Sequence, residues 1–387
     1  MKRVNSIFAI ILFMMAGCGG GSKSGNDNGF ITVDVTKKYP KKELILQDFL
    51  DVEYIALETS REFLCQGIVM AIGKDIVIVR NSVNDGDIFI FDRNGKGLRK
   101  INRMGRGGEE YSGIYGFVLD EENEEMFVQD YSDKIIVYDL SGIFKRSLKQ
   151  VKGKEYGGTH NFDDESIICD DFYFDGGTKD NPSFFIISKQ DGSIIKDIQI
   201  PFEQKKSTIM MQFTDQSAIA VPIQKFPIIP YQDSWILTEP SSDTIFTFSS
   251  DYSLKPFMVR TPTVQSMNPE IFLFPEILTD RYYFMKIVKK EFDFTKGEGF
   301  PETHLVYDRQ EKTIAECTLF NEDFSIKRPI DMSQRHKNNE IAFWQKIEAD
   351  DLFEAYGKGQ LKSKLKKIAA GMKEEDNPVI MLVKHKR

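Results

Sequence analysis

The sequence is poor in the residues from which most reactive sites are built. Four cysteines and four histidines occur in 387 residues. None of them forms a Cys-x-x-Cys, His-x-x-x-His or His-Glu-x-x-His pair, so neither a zinc site nor a disulfide framework is indicated. No Gly-x-Ser-x-Gly elbow is present, which removes the simplest serine-hydrolase signature. Paired acids such as Asp170-Asp171 point to opposite faces of a strand, and no Asp-x-Asp-x-Asp-Gly calcium loop occurs. The glycine-rich segment Gly105-Arg106-Gly107-Gly108 leads into neither Lys-Ser/Thr nor a helix, both of which a phosphate-binding loop requires. Basic residues are outnumbered 51 to 59, for a net charge of −8. That balance excludes a nucleic-acid surface, which needs clustered cations. No cofactor is implied.

Long apolar runs are also missing. The longest, residues 7–15, falls short of the roughly 20 residues that span a bilayer. It follows Lys2-Arg3 and ends in Met15-Ala16-Gly17-Cys18, the charge, apolar and small-residue order of a secretory leader. Small residues directly before a cysteine resemble a bacterial lipobox. Residues 1–17 are therefore expected to be a lipoprotein signal peptide, with Cys18 the lipidated mature N-terminus and the membrane its partner. Acyl chains at Cys18 would give durable anchoring. Without Lys2 and Arg3 the charge is −10, from 49 positive against 59 negative residues. Gly19 and Gly20 follow, with no Asp of the inner-membrane retention type, which favours an outer membrane lipoprotein, periplasm-facing or at the cell surface. Residues 18–30 read as a flexible tether, and residues 31–387 as one folded domain. Cys65, Cys169 and Cys317 lie near apolar runs and are expected as buried, inert thiols.

What is abundant is strand-forming sequence. There are 31 Phe and 14 Tyr, with frequent β-branched runs. Ile88-Phe89-Ile90-Phe91-Asp92-Arg93-Asn94-Gly95 and Ile135-Ile136-Val137-Tyr138-Asp139-Leu140-Ser141-Gly142 are the same hairpin signature, apolar strand then tight Gly turn. The turn positions Gly95, Gly142, Gly192, Tyr252 and Glu311 are separated by 47, 50, 60 and 59 residues. Around the first hairpin lie strands at 67–72, 75–80, 87–91 and 97–101, and around the second at 113–119, 125–130, 134–138 and 143–148. Four antiparallel strands per repeat, with insertions absorbed in loops, describe propeller blades. Larger loops are expected at 211–231 and 286–302.

Five hairpins leave the sixth blade to the chain end. Strands at 340–347 and 378–383 flank a helical insertion at 352–372, where Leu361, Leu365, Ile368 and Met372 share one face and Lys362, Lys364, Lys366 and Lys367 the other. The strand at 52–58 has no neighbour in sequence. The expected solution is that it pairs with the final strand, so that both termini share one sheet and close the ring. The fold class is therefore an all-β, six-bladed β-propeller with an N-terminal strand closing the last blade.

These features resemble the six-bladed β-propeller lipoproteins of Bacteroidetes, NHL-like in shape and largely unassigned in function. The resemblance rests on the lipobox, Val52-Glu53-Tyr54-Ile55-Ala56-Leu57-Glu58-Thr59, Phe91-Asp92-Arg93-Asn94-Gly95, the Gly-Arg-Gly segment ending in Glu110-Tyr111, and Asp376-Asn377-Pro378-Val379-Ile380-Met381-Leu382. The family's Gly-x-Gly-Pro-Gly-Glu-Tyr is altered here, with Gly108 in place of Pro and Glu109 in place of the next Gly. The resemblance implies the fold and an envelope location, and no chemistry.

Crossings between blades collect at one end of a propeller, so Arg103, Arg106, Glu110 and Tyr111 are candidate binding residues. His160 and His336 precede expected inner strands and are candidates to face the channel. Trp235 and Trp344, each within a predicted strand, read either as packing between blades or as a platform for a sugar ring. The turn at 103–111 and the lysine-bearing helix are expected at the same end, where an acidic glycan would be attracted. The functional expectation is a non-catalytic binding or scaffolding propeller for an anionic glycan, a peptide or an envelope protein. The alternative is a hydrolase or lyase with a metal-assisted site in the channel.

Overall fold

The computed structural model describes residues 30–81, 85–132, 134–172, 182–213, 217–332 and 338–386. Cys18 and His336, with the expected leader, lie outside them. Six sheets, each built around antiparallel strands, are arranged as the blades of a propeller. Blades 1 to 3 are four-stranded meanders, running Ile68–Ile72 to Gly97–Asn102, Ile114–Asp120 to Phe144–Lys149, and Tyr156–Asn161 to Ile194–Ile198. The strands are apolar on both sides because each blade is sandwiched between two others. In blade 2, Ile136 and Tyr138 face blade 1, while Ile135 and Val137 face blade 3. Each of the six seams between blades holds its own apolar cluster, including the closing seam between blades 6 and 1.

The third-to-fourth hairpins carry the repeat. Gly95, Gly142 and Gly192 have φ of +86°, +82° and +78°, the left-handed region that glycine enters without strain. Tyr252 takes the same role in blade 4, at φ +63°. In blade 5 the positive φ falls on Lys312, one residue past the expected Glu311. The Asp308 carboxylate accepts from the amides of Gln310 and Glu311 and pulls the turn forward.

The N-terminal segment is the main departure from a plain repeat. Strand β1 (Ile31–Asp34) lies parallel to the fourth strand of blade 4, pairing Ile31 with Met258. Strand β2 (Lys41–Ile45) does the same on blade 5, pairing Lys41 with Glu316. Strand β3 (Leu50–Ala56) then pairs antiparallel with Val379–His385, as the closure expectation required. One segment thus binds three successive blades. Edge chemistry accounts for the cover on blade 5 and not for that on blade 4, whose fourth strand carries Lys255 and Arg260. Open fourth strands in blades 1 to 3 carry Arg99 and Lys100, Lys145 and Arg146, or Lys196, and such charges block edge-to-edge pairing. The fourth strand of blade 5, Thr313–Phe320, has no cation, and β2 covers it with Lys41 and Lys42.

Blade 6 has three regular strands: Ile341–Ile347, Val379–His385 and β3. They are the second, third and fourth of a blade. Asn338, just before them, donates to the Ile72 carbonyl at the far end of blade 1's first strand, where first-to-second turns gather. Gly95 seats against Ala56 of β3 as Gly142 seats against Ile101 of blade 1's fourth strand. The insertion is two helices rather than one, α1 (Ala349–Gly357) and α2 (Ser363–Ala369). Gly357 and Gly359 break the run, Gly359 at φ +67°. Leu361, Leu365, Ile368 and Met372 still converge in one cluster, with Tyr54 and Ala56 of β3. The two longer loops hold a hairpin, Ile209–Phe213 with Ala218–Pro222, and a short ladder at Phe292–Asp293.

Candidate functional site

First strands line a central channel, and glycine widens it. A β-carbon at Gly116 would come within 2.4 Å of Gln129 Oε1, and one at Gly157 within 2.3 Å of Asp170 Oδ2. The bare backbone therefore lets second-strand side chains of blades 2 and 3 reach over the first strands. At the end of the first-to-second turns a cavity of about 430 Å³ opens, bordered by Lys74, Glu121, Phe162, Trp235 and Asn338. At the opposite end a cavity of about 320 Å³ is bordered by Tyr115, Asp170, Ile223, Lys225 and Phe226. Both include Met70, Phe117, Thr159 and His160, which form the waist between them.

Ion pairs fix the turns around the first mouth. Lys189 Nζ lies 2.6 Å from Asp120 Oδ2 and also donates to the Asp163 carbonyl at 2.6 Å, tying blade 2 to blade 3. Glu121 accepts from the backbone amides of Lys74 and, at 2.9 Å, Asp75, tying blade 1 to blade 2. Arg146 holds Glu125 through two bonds of 2.8 and 2.7 Å. The guanidinium bonds, with help from Lys145, lower the Glu125 carboxyl to about 2.

Aromatic rings line one side of this mouth. Phe162 stacks on Trp235 with centroids 6.1 Å apart and planes 25° from parallel, and on Tyr252 at 6.3 Å and 17°. His160 lies against the indole at 6.0 Å. Blade 3 supplies Phe162 and His160, and blade 4 supplies Trp235 and Tyr252. Trp235 is half-buried, whereas Trp344 is packed into the seam between blades 6 and 1.

At the other mouth Lys225 is partly buried. Burial lowers its pKa, opposed by the nearby carboxylates of Asp170 and Glu239. Glu239 is itself buried and bonded at 2.8 Å to Lys205. Sequence reasoning offered Trp235 as a sugar platform and His160 as a channel residue but missed this charged group, Phe162 and Tyr252, because residues far apart in the chain meet only when blades 3 and 4 pack together. Among the described residues, no three His, Cys, Asp or Glu side chains converge as metal ligands would. Cys65, Cys169 and Cys317 are buried and free, and burial pushes their thiols up, Cys65 to about 11 and Cys317 to about 12.

Of the residues singled out from sequence, His160 and Trp235 border the first mouth, whereas those of the 103–111 turn sit elsewhere. Tyr111 is fully buried; its hydroxyl donates to the Gly86 carbonyl at 2.6 Å and accepts from the Arg103 amide at 3.0 Å. Burial pushes that hydroxyl up to about 12. Arg103 Nε donates to the Gly142 carbonyl at 2.9 Å, and the Glu110 carboxylate accepts from the Gly107 amide at 2.8 Å. Arg106 is exposed. The turn folds over the outer strands of blade 2, where Lys134 and Tyr138 donate to the carbonyls of Glu110 and Glu109. The direction of the strands puts this turn and the helices at the same end of the ring, both over outer strands. Neither borders the two cavities.

Among solved structures, a candidate exported protein from Bacteroides fragilis is similar at 14% identity, with a TM-score of 0.62 over 92% of this chain and 100% of that one. BamB from Moraxella catarrhalis (10% identity, TM-score 0.40, 87% and 99% covered) and virginiamycin B lyase from Staphylococcus aureus (11%, 0.37, 86% and 99%) are more distant. At these identities the likeness to the first concerns the fold alone, and the other two carry no further argument. The comparison with curated proteins found no match. Among the described residues no helix is long and apolar enough to cross a membrane. A family profile matches residues 30–384, from the start of β1 to the last strand, and the chain belongs to that family, DUF4934, a domain of unknown function.

Proposed function

We propose that this chain is a non-catalytic binding propeller of the cell envelope, anchored through Cys18, that holds a ligand in the mouths of its channel. The observation that carries the reading is the channel itself. Two cavities of about 430 and 320 Å³ meet at a shared waist, and both fall in the range of about 300–1,000 Å³ typical of ligand sites. The expected leader supports an extracytoplasmic address, as does the exported description of the Bacteroides fragilis neighbour. Gly19 and Gly20 after Cys18, where an inner-membrane protein would carry Asp, support an outer membrane position.

The ends differ in charge. Glu121, Glu122, Asp164 and Asp233 outnumber Lys74 at the first mouth, whereas Arg103, Arg106 and the α2 lysines belong to the opposite end. An anionic glycan or an envelope protein would address the latter. A second reading, catalysis in the channel, draws support from the partly buried Lys225, which shares a small cavity with Asp170 and Glu239 and whose pKa is lowered by burial, a combination found at reactive sites.

The test is a ligand screen by thermal shift on the purified full chain, with Thr159→Trp narrowing the waist. Oligosaccharides, peptides and polyanions are added at two ionic strengths, and the mixtures are then assayed for cleavage products. Stabilisation lost in Thr159→Trp, without turnover, supports binding in the channel. Stabilisation indifferent to the waist, or product formation, counts against it.

A further inference from the structure

Deepening the reading above, on which it rests, we infer that the mouth at the first-to-second turns is a site for a neutral saccharide. Three observations converge there. The first is the apolar wall of Phe162 and Trp235, extended outward by Tyr252, which is 41% exposed. Aromatic rings of this kind pack against the C–H face of a pyranose, whose ring atoms are apolar while its hydroxyls point outward in the ring plane. A purely structural stack would close the seam, but Phe162 and Trp235 are only partly buried and border a cavity of about 430 Å³.

The second observation is the amide chemistry around the same cavity. Asn161, Gln232 and Asn339 border the same cavity, and their side chains form no hydrogen bond among the described residues. Each carboxamide offers both donors and an acceptor, matching vicinal hydroxyls that also donate and accept. Gln232 is held at φ +53°, so the turn that presents it has a defined conformation, and Asn338 beside Asn339 is bonded to Ile72 and Ile341. An apolar wall with a few placed polar groups is the composition of a small-molecule site.

The third is charge. The rim carries Glu121, Glu122, Asp164 and Asp233 against Lys74. An acidic polymer would be repelled at this mouth, while an uncharged sugar loses nothing to that field. The ligand class is thus a neutral oligosaccharide, and the residues that recognise it are Trp235, Phe162, Asn161, Gln232 and Asn339.

The chain has two tryptophans, and only Trp235 borders the site, so indole emission reports on it. The full chain is titrated with maltohexaose, cellohexaose, xylohexaose and mannohexaose, with polygalacturonate and a casein digest as the acidic and peptide arms. The expected result is a saturable emission change with at least one neutral hexasaccharide. It should survive Trp344→Phe, vanish in Trp235→Phe, and weaken roughly tenfold by calorimetry in Asn161→Ala, whose fold circular dichroism verifies. Calorimetric affinity unchanged in both Trp235→Ala and Asn161→Ala overturns the inference. So does binding of the digest or polygalacturonate alone, an outcome that leaves channel binding standing. Absence of binding to every probe overturns both.

Discussion

Lys189 and Asp120 form an ion pair at 2.6 Å in which neither side chain is more than 5% exposed. It joins the last turn of blade 3 to the first turn of blade 2. Removing one partner strands the other charge in a dry seam, at a cost of about 3–5 kcal/mol. Lys189→Met should therefore lower unfolding free energy in urea by that order. The double variant Lys189→Met, Asp120→Leu should recover part of the loss, because no charge is left unpaired.

Hairpin glycine is a second point of sensitivity. A β-carbon at Gly95 would meet the Ala56 carbonyl oxygen at 1.9 Å, and φ there is +86°. Gly95→Ala should destabilise by more than about 1 kcal/mol, since both strain and contact oppose it. Gly108 has no neighbour within 4 Å of the same construction, and Gly108→Ala should stay within about 0.5 kcal/mol. Melting of the two variants under identical conditions makes the comparison.

Acid and base should act on different blades. Glu125 is lowered from 4.5 to about 2, chiefly by Arg146. A depressed carboxyl contributes stability above its unfolded pKa and loses it as pH falls through the folded value. The loss should run from about pH 4.5 down to about 2, and Arg146→Gln should flatten it. His304 has the opposite sign: its hydrogen bond to Glu276, 3.0 Å long, raises it above 6.5 despite partial burial, with Glu302 adding and Lys286 opposing. That contribution is complete below the unfolded pKa and fades as pH rises through the folded one. His304→Gln should remove this alkaline decline in a stability-versus-pH series.

Truncation separates ring closure from edge protection. Deleting residues through 45 leaves β3 paired with Val379–His385 but bares the cation-free fourth strand of blade 5. The protein should fold and self-associate, seen as mass above the monomer in light scattering. Deleting through 56 also removes the closing strand, and cooperative melting should be lost. Monomeric behaviour of the first deletion would contradict the role given to β2.

The repeat and its closure were legible because they are local or forced. Asp92, Asn94 and Gly95 specify one turn within four residues, and a strand at 52–58 without a neighbour has to pair somewhere. By contrast β1 and β2 are four and five residues long and pair in parallel with strands far along the chain, so no periodicity announces them. The split of the helix was visible in Gly357 and Gly359, yet the helical spacing from Leu361 to Met372 was extended back over them to Leu352. The site was the least legible part. Trp235 could be read as packing or as a sugar platform, and nothing marked Phe162 until the seam between blades 3 and 4 brings the two together, whereas Tyr111, prominent in a motif, turns out to brace its own loop.

The belt of β1, β2 and β3 sets how the domain would bear mechanical load. A pull on the chain ahead of Phe30 acts first on β1, then on β2, and reaches β3 last. The first two strands add to blades that already have four of their own. They can detach one after the other, each lengthening the extended N-terminal chain and dissipating work, while the ring stays shut. A tug from an anchored N-terminus would thus be absorbed along the rim of blades 4 and 5 before it reached the seam that closes the channel.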